Sequence, residues 1–148
     1  MRFYLDTCCL SRPWDDQSQV KVHLEAEAVL YLVSEARQGR MELTSSAYLL
    51  EEIQRIPDPK RRADVAALLD PAAIHLPACD TVFQRSKTFA AHNIRNYDAL
   101  HIAAAEAAQC DYFFTTDDRL LKRAQRAGSL FKVKILNPAD WPPETDLP

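Results

Sequence analysis

Apolar and polar positions follow two rhythms along this chain. Short apolar runs of strand length recur at residues 2–5, 41–44, 73–76, 112–115 and 132–136. Between them helical spacing takes over. From 20 to 37 the apolar residues Val22, Ala26, Val29, Leu30 and Val33 fall on one helical stripe, and Gly39 sits where a helix end is commonly capped. Ser45 or Ser46 is placed to cap a helix through Tyr48, Leu49, Leu50 and Ile53, which stops before Pro57-Asp58-Pro59. Further helices are predicted over 60–69, 81–92, 98–109 with Asn96 as cap, and 119–127 ending at Gly128. The segment 11–16 is expected to be a polar loop, and the tail after Trp141 is too rich in proline and acid to join a core. Strands alternating with helices predict an α/β sandwich around a parallel sheet with right-handed crossovers.

A chain of 148 residues that is 47% apolar suits one domain with one core, here expected over 1–141 with a short tail at 142–148. Only two glycines and no repeat tract argue against a fibrous or disordered chain. No apolar run is long enough to span a bilayer and no leader pattern opens the sequence, so a cytoplasmic protein without a membrane partner is expected. The four cysteines, Cys8, Cys9, Cys79 and Cys110, lack paired C-x-x-C spacing and are expected to be reduced and mostly buried. A net charge of −3 disfavours a protein that coats nucleic acid by charge alone, but it is compatible with an enzyme whose bound cations supply local positive charge.

In a parallel α/β sheet, residues just past the carboxyl ends of the strands share one edge, where ligands bind. Asp6 and Asp117 both fall there, and they approach each other if the first and fourth strands are neighbours. Glu52 and Asp98 lie near the starts of helices, within reach of the same edge. Four converging carboxylates repel one another unless a hard divalent cation with oxygen ligands, magnesium or manganese, cancels the charge. Each acid also has a plainer role open to it: Asp6 as a turn cap, Asp117 or Asp118 as a helix N-cap, Asp98 as a partner of the helix dipole, Glu52 as a surface residue beside Glu51.

The motifs that carry these acids resemble those of the PIN-domain nucleases over nearly the whole chain. Tyr4-Leu5-Asp6-Thr7 is similar to the opening strand with its first metal-binding Asp. Ser46-Ala47-Tyr48-Leu49-Leu50-Glu51-Glu52-Ile53 is similar to the helix in which the Glu six residues after the Ser is a ligand, which favours Glu52 over Glu51. Asn96-Tyr97-Asp98-Ala99-Leu100-His101 closely resembles the third motif, an Asp opening an alanine-rich helix. Phe113-Phe114-Thr115-Thr116-Asp117-Asp118 is similar to the fourth, with Asp117 in the acidic role, Asp118 as its understudy and Thr115 orienting a carboxylate or water.

The resemblance implies a PIN-like three-layer sandwich, a central, mostly parallel sheet flanked by helices. It implies a Mg2+- or Mn2+-dependent endoribonuclease acting on single-stranded RNA, in which water attacks phosphorus and the metal stabilises the leaving 3'-oxygen. It also implies a toxin restrained by an antitoxin protein, with a homodimer as a further expectation. A non-catalytic metal- or RNA-binding module of the same fold is the alternative, and the presence of all four acids argues against it. A structure-specific DNA nuclease would want added DNA-gripping elements. Haloacid-dehalogenase-like phosphatases also start with a strand ending in Asp, but they need a second Asp where this chain has Cys8.

Substrate contacts are expected from a basic stripe of Arg119, Lys122, Arg123 and Arg126 at helical spacing, or that stripe is a solvated face. Arg12 and Trp14 follow the first acid and are placed to meet a phosphate and an unpaired base, unless Trp14 packs under its own loop. His101, one turn beyond Asp98, is expected to pack rather than react. His23, His75 and His92 share no zinc-like spacing.

Overall fold

The computed structural model describes residues 1–143. Its strands are β1 (Arg2–Leu5), β2 (Glu42–Ser46), β3 (Ile74–Leu76), β4 (Tyr112–Phe114) and β5 (Lys134–Leu136). The helices are α1 (Thr7–Ser11), α2 (Val20–Arg37), α3 (Ala47–Gln54), α4 (Pro59–Ala67), α5 (Asp80–Lys87), α6 (Asn96–Ala107) and α7 (Asp118–Ala127). The strands make one wholly parallel sheet in the order β3-β2-β1-β4-β5.

The central strand β1 and its neighbour β4 explain why the pattern is legible. Phe3, Tyr4 and Leu5 on β1 and Phe113 and Phe114 on β4 are fully buried, as expected for strands with helices over both faces of the sheet. Tyr4 pairs with Thr44 on β2 and with Phe113 on β4. From β1 the chain steps outward to β2 and β3, then returns past β1 to β4 and β5. The direction of winding therefore reverses between β1 and β4, the position at which open α/β sheets form ligand crevices.

Helix ends follow local chemistry. At the end of α2, Gly39 takes a φ of 75°, its N–H donates to the Ala36 carbonyl and Arg40 N–H to the Glu35 carbonyl, a double closure that needs a residue tolerant of left-handed geometry. Gln109 plays the same part after α6, with φ 58° and Cys110 N–H donating to the Ala105 carbonyl.

Several sequence expectations are corrected. Residues 11–16 do not form a simple loop: α1 runs through Ser11 and a 3-10 turn covers Arg12–Trp14, with Pro13 in its first turn. The helix expected to reach His92 ends at Lys87 and continues as a 3-10 turn, Thr88–His92, closed by left-handed Asn93. Asn96 does not cap α6. It is the first helical residue, with a φ of 56°, and the capping position belongs to Arg95, which makes no side-chain cap bond. Leu30, counted in the apolar stripe of α2, is exposed. Of the tail, residues 144–148 lie outside those described.

Candidate active site

The four acids are delivered by four elements. Asp6 follows β1 directly and caps α1, its Oδ1 accepting from Cys9 N–H at 3.1 Å. Asp117 lies just past β4 and caps α7, its Oδ1 accepting from the N–H groups of Arg119 at 2.9 Å and Leu120 at 3.2 Å. Both caps use Oδ1, so helix capping does not consume both oxygens of either carboxylate. The plain and the functional roles of these residues therefore coexist. Glu52 is carried by α3, whose start is fixed by the Ser46 hydroxyl accepting from Leu49 N–H at 3.1 Å. Asp98 sits in the first turn of α6. All four line one open pocket of about 510 Å³ at the switch point.

The charges in this pocket strain against each other. Burial pushes the Asp6 carboxyl well above the usual carboxylate range, and negative charge at the neighbouring Cys8 sulfur, 2.8 Å away, adds to the effect. Asp98 is pushed up to about 6, first by burial and then by the charge of Asp117. At Glu52 burial also works against ionisation, but hydrogen bonds from His101 and Thr7 outweigh it and hold the carboxyl below its ordinary value. Partly desolvated oxygen donors, with Asp117 and Glu52 opposing the ionisation of Asp98, fit a hard divalent cation. Among the described residues the four carboxylates do not close into a tight cluster; the group whose ligand atoms lie within 4.8 Å of one another is Asp6, Cys8 and Cys9.

Behind Glu52 runs a buried relay that sequence reasoning missed. Tyr4 Oη lies 2.7 Å from both Ser46 Oγ and His101 Nδ1, and His101 Nε2 lies 3.0 Å from Glu52 Oε1. Thr7 Oγ1 donates to the same Glu52 oxygen. A carboxylate only accepts, so Nε2 carries a proton in either state of the ring. With neutral His101, Tyr4 donates to Nδ1 and Ser46 to Tyr4; with charged His101 the two hydroxyls turn the other way. A signal for part of this was available, since Tyr4 and Asp6 are two apart at the end of one strand and His101 is one helical turn past Asp98.

The supporting residues divide. Thr115 is buried; its Oγ1 accepts from Asp117 N–H at 3.1 Å and lies 3.4 Å from Cys8 Sγ. Asp118 is exposed, paired with Lys21 at 3.4 Å and absent from the pocket wall. Arg12 turns its guanidinium to Glu25 at 2.9 Å and Asp15 at 3.0 Å. Neither Trp14, which is partly exposed, nor the α7 residues Arg119, Lys122 and Arg123 line the pocket. Glu51 and Glu52 part: Glu52 lines the pocket, whereas Glu51 binds Tyr97 and Arg55 at its rim.

The profile of the PIN domain matches residues 3–126, a span that includes all four acids. The chain belongs to the PIN domain family. PIN domains are nucleases, and this one keeps the family's α/β fold with its five-stranded parallel sheet. Two solved structures similar to this PIN domain are VapBC2 from Rickettsia felis bound to a DNA fragment from its promoter and VapBC-1 from nontypeable Haemophilus influenzae. The first has a TM-score of 0.58 at 13% identity and the second 0.56 at 11%, each alignment covering 93% of this chain and 98% of the other. At such identities the likeness is one of fold. No curated protein matches the chain in sequence.

Proposed function

We propose that this PIN domain is a metal-dependent endoribonuclease that hydrolyses phosphodiester bonds in single-stranded RNA, and that it is the toxin of a toxin-antitoxin pair. The observation that carries the nuclease reading is the meeting of Asp6, Glu52, Asp98 and Asp117 around one pocket at the sheet's switch point. These residues would hold Mg2+ or Mn2+. When bound, the ion supplies Lewis-acid activation of water and neutralises charge at phosphorus.

The chain's own contribution is fixed presentation of the carboxylates. Helix-end amides hold Asp6 and Asp117, and His101 and Thr7 hold Glu52 in its ionised form. His101 is itself locked by Tyr4, so the Glu52 carboxylate meets a donor with little freedom to turn. The toxin reading is supported by the resemblance of the four motifs to toxin ribonucleases and by the VapBC neighbours in structure. It makes an antitoxin protein the expected partner. No helix among the described residues is long and apolar enough to cross a membrane.

Purified protein should cut unstructured RNA in magnesium or manganese, stop when the ion is chelated, and spare duplex DNA. Cleavage that persists in excess chelator rules out the metal mechanism. Expression of the chain should arrest growth, and co-expression of the small protein encoded beside it should relieve the arrest; growth unaffected by active enzyme counts against the toxin role.

A further inference from the structure

A column of three planar groups rises from the relay to the mouth of the pocket. The Tyr97 ring lies 5.8 Å from the His101 ring, centroid to centroid, with 18° between their planes. The Arg55 guanidinium carbon lies 5.4 Å from the centre of the Tyr97 ring. Glu51 clamps the outer part of the column: its Oε1 accepts from Tyr97 Oη at 2.9 Å and from Arg55 Nη2 at 3.2 Å. His101 at the inner end is buried, whereas the Arg55 side chain at the outer end is 69% exposed.

Two facts give this column a use. Arg55 is the one lysine or arginine among the residues lining the pocket, which is otherwise walled by carboxylates, uncharged side chains and His101. Moreover, Tyr97 is already covered on the His101 side and contacted by Arg55, so the planar surface left for a ligand is that of the guanidinium. A guanidinium plane stacks on an unpaired base while its positive charge favours the neighbouring phosphate.

We propose that Arg55, held over the Tyr97 ring and by Glu51, is the stacking platform for an unpaired base next to the scissile phosphate. The inference rests on the ribonuclease reading of the same pocket and adds where the strand lies: across the α3–α6 rim of the pocket, which Arg55 and Tyr97 line. It gives the acidic chain a local cation for an anionic substrate. It also makes selection for single strands a matter of geometry, because a base inside a duplex has no free face to offer.

The test is a double-mutant cycle on short unstructured RNA in manganese, with the base removed at each position near the cut in turn. For the wild type, one abasic position should raise KM about tenfold. For Arg55→Ala, KM should be raised by a similar factor on intact RNA, and the same abasic position should add nothing further. Arg55→Lys should recover only the smaller part of the loss and none of the sensitivity to the abasic position, since it keeps the charge and loses the plane. Glu51→Gln should fall between wild type and Arg55→Ala. Full rescue by Arg55→Lys, or abasic and Arg55→Ala effects that multiply, would overturn the stacking platform while leaving the nuclease reading intact. A wild-type protein that cuts no RNA with either ion would remove both.

Discussion

His101 Nε2 stands 3.0 Å from Glu52 Oε1, joining α6 to α3 beneath the acidic pocket. The contact sets which way one carboxylate faces, and Tyr4 sets which way the histidine faces. Replacing His101 with Ala should therefore lower manganese affinity and RNA cleavage by about 10- to 100-fold, the range for loss of a partner behind a metal ligand. It should also lower stability by about 1–3 kcal/mol, because the buried Tyr4 hydroxyl loses an acceptor. Calorimetric metal titration and denaturant unfolding measure the two effects. A variant with normal metal affinity would reduce His101 to a packing residue.

Glu52→Gln and Glu51→Gln should separate two functions of adjacent residues. The first should cut activity by at least about a hundredfold and weaken the metal. The second should leave metal binding near wild type, since Glu51 lies on the rim and holds Arg55 and Tyr97. Equal losses of metal affinity would mean that the phase of α3 is wrong.

Asp98 couples the site to pH. In the unfolded chain its carboxyl ionises near pH 4, whereas in the folded protein it does so at about 6. Between these values the unfolded state loses its proton first, so rising pH favours unfolding; the penalty is absent below about pH 4 and complete above about pH 6. Discounted for the group's partial exposure, it amounts to about 1–2 kcal/mol. Metal-free Asp98→Asn should thus gain stability relative to wild type at pH 7.5 and gain nothing at pH 4, and manganese should stabilise it less. Thermal melts at both pH values decide it: a variant that is destabilised at pH 7.5 with an unchanged response to manganese would make Asp98 a structural residue of the helix end.

Glu25 is a buried acceptor for Arg12 at 2.9 Å, Lys21 at 3.0 Å and Asn137 at 2.5 Å. Removing it leaves the Arg12 guanidinium with Asp15 alone and takes an acceptor from buried Asn137, so Glu25→Ala should lose about 1–3 kcal/mol of unfolding free energy. Arg12→Ala should likewise show a larger change in denaturant midpoint than in cleavage rate. The reverse pattern would make Arg12 an RNA contact.

What the sequence revealed and what it hid follow from range. Phe3-Tyr4-Leu5 and Phe113-Phe114 announce strands because each is buried on both faces, and Gly39 marks a helix end because its backbone needs a left-handed turn. Asp6 and Asp117 were legible as a pair because parallel strands put their ends on one edge. Pairings between distant segments were not legible. Tyr4 meets His101 across 97 positions and Thr7 meets Glu52 across 45, and no periodicity encodes either. Arg12 shows the same limit: its position after the first acid suggests phosphate, and nothing in that position announces that Glu25, 13 residues on, binds the guanidinium.

The uniform direction of the five strands divides the protein into a working end and a structural end. Every acid in the pocket leaves from the carboxyl edge, while the turns through Gly39, Gln109 and Gly128 all lead into the amino ends of strands. For protein engineering this separates the places that can be opened from those that cannot. New termini, an inserted reporter or a break between complementing fragments can be put in the exposed Gly39 turn without entering the pocket. A PIN domain split there would carry Asp6 on one fragment and Glu52, Asp98 and Asp117 on the other, so nuclease activity would report reassembly of the two pieces.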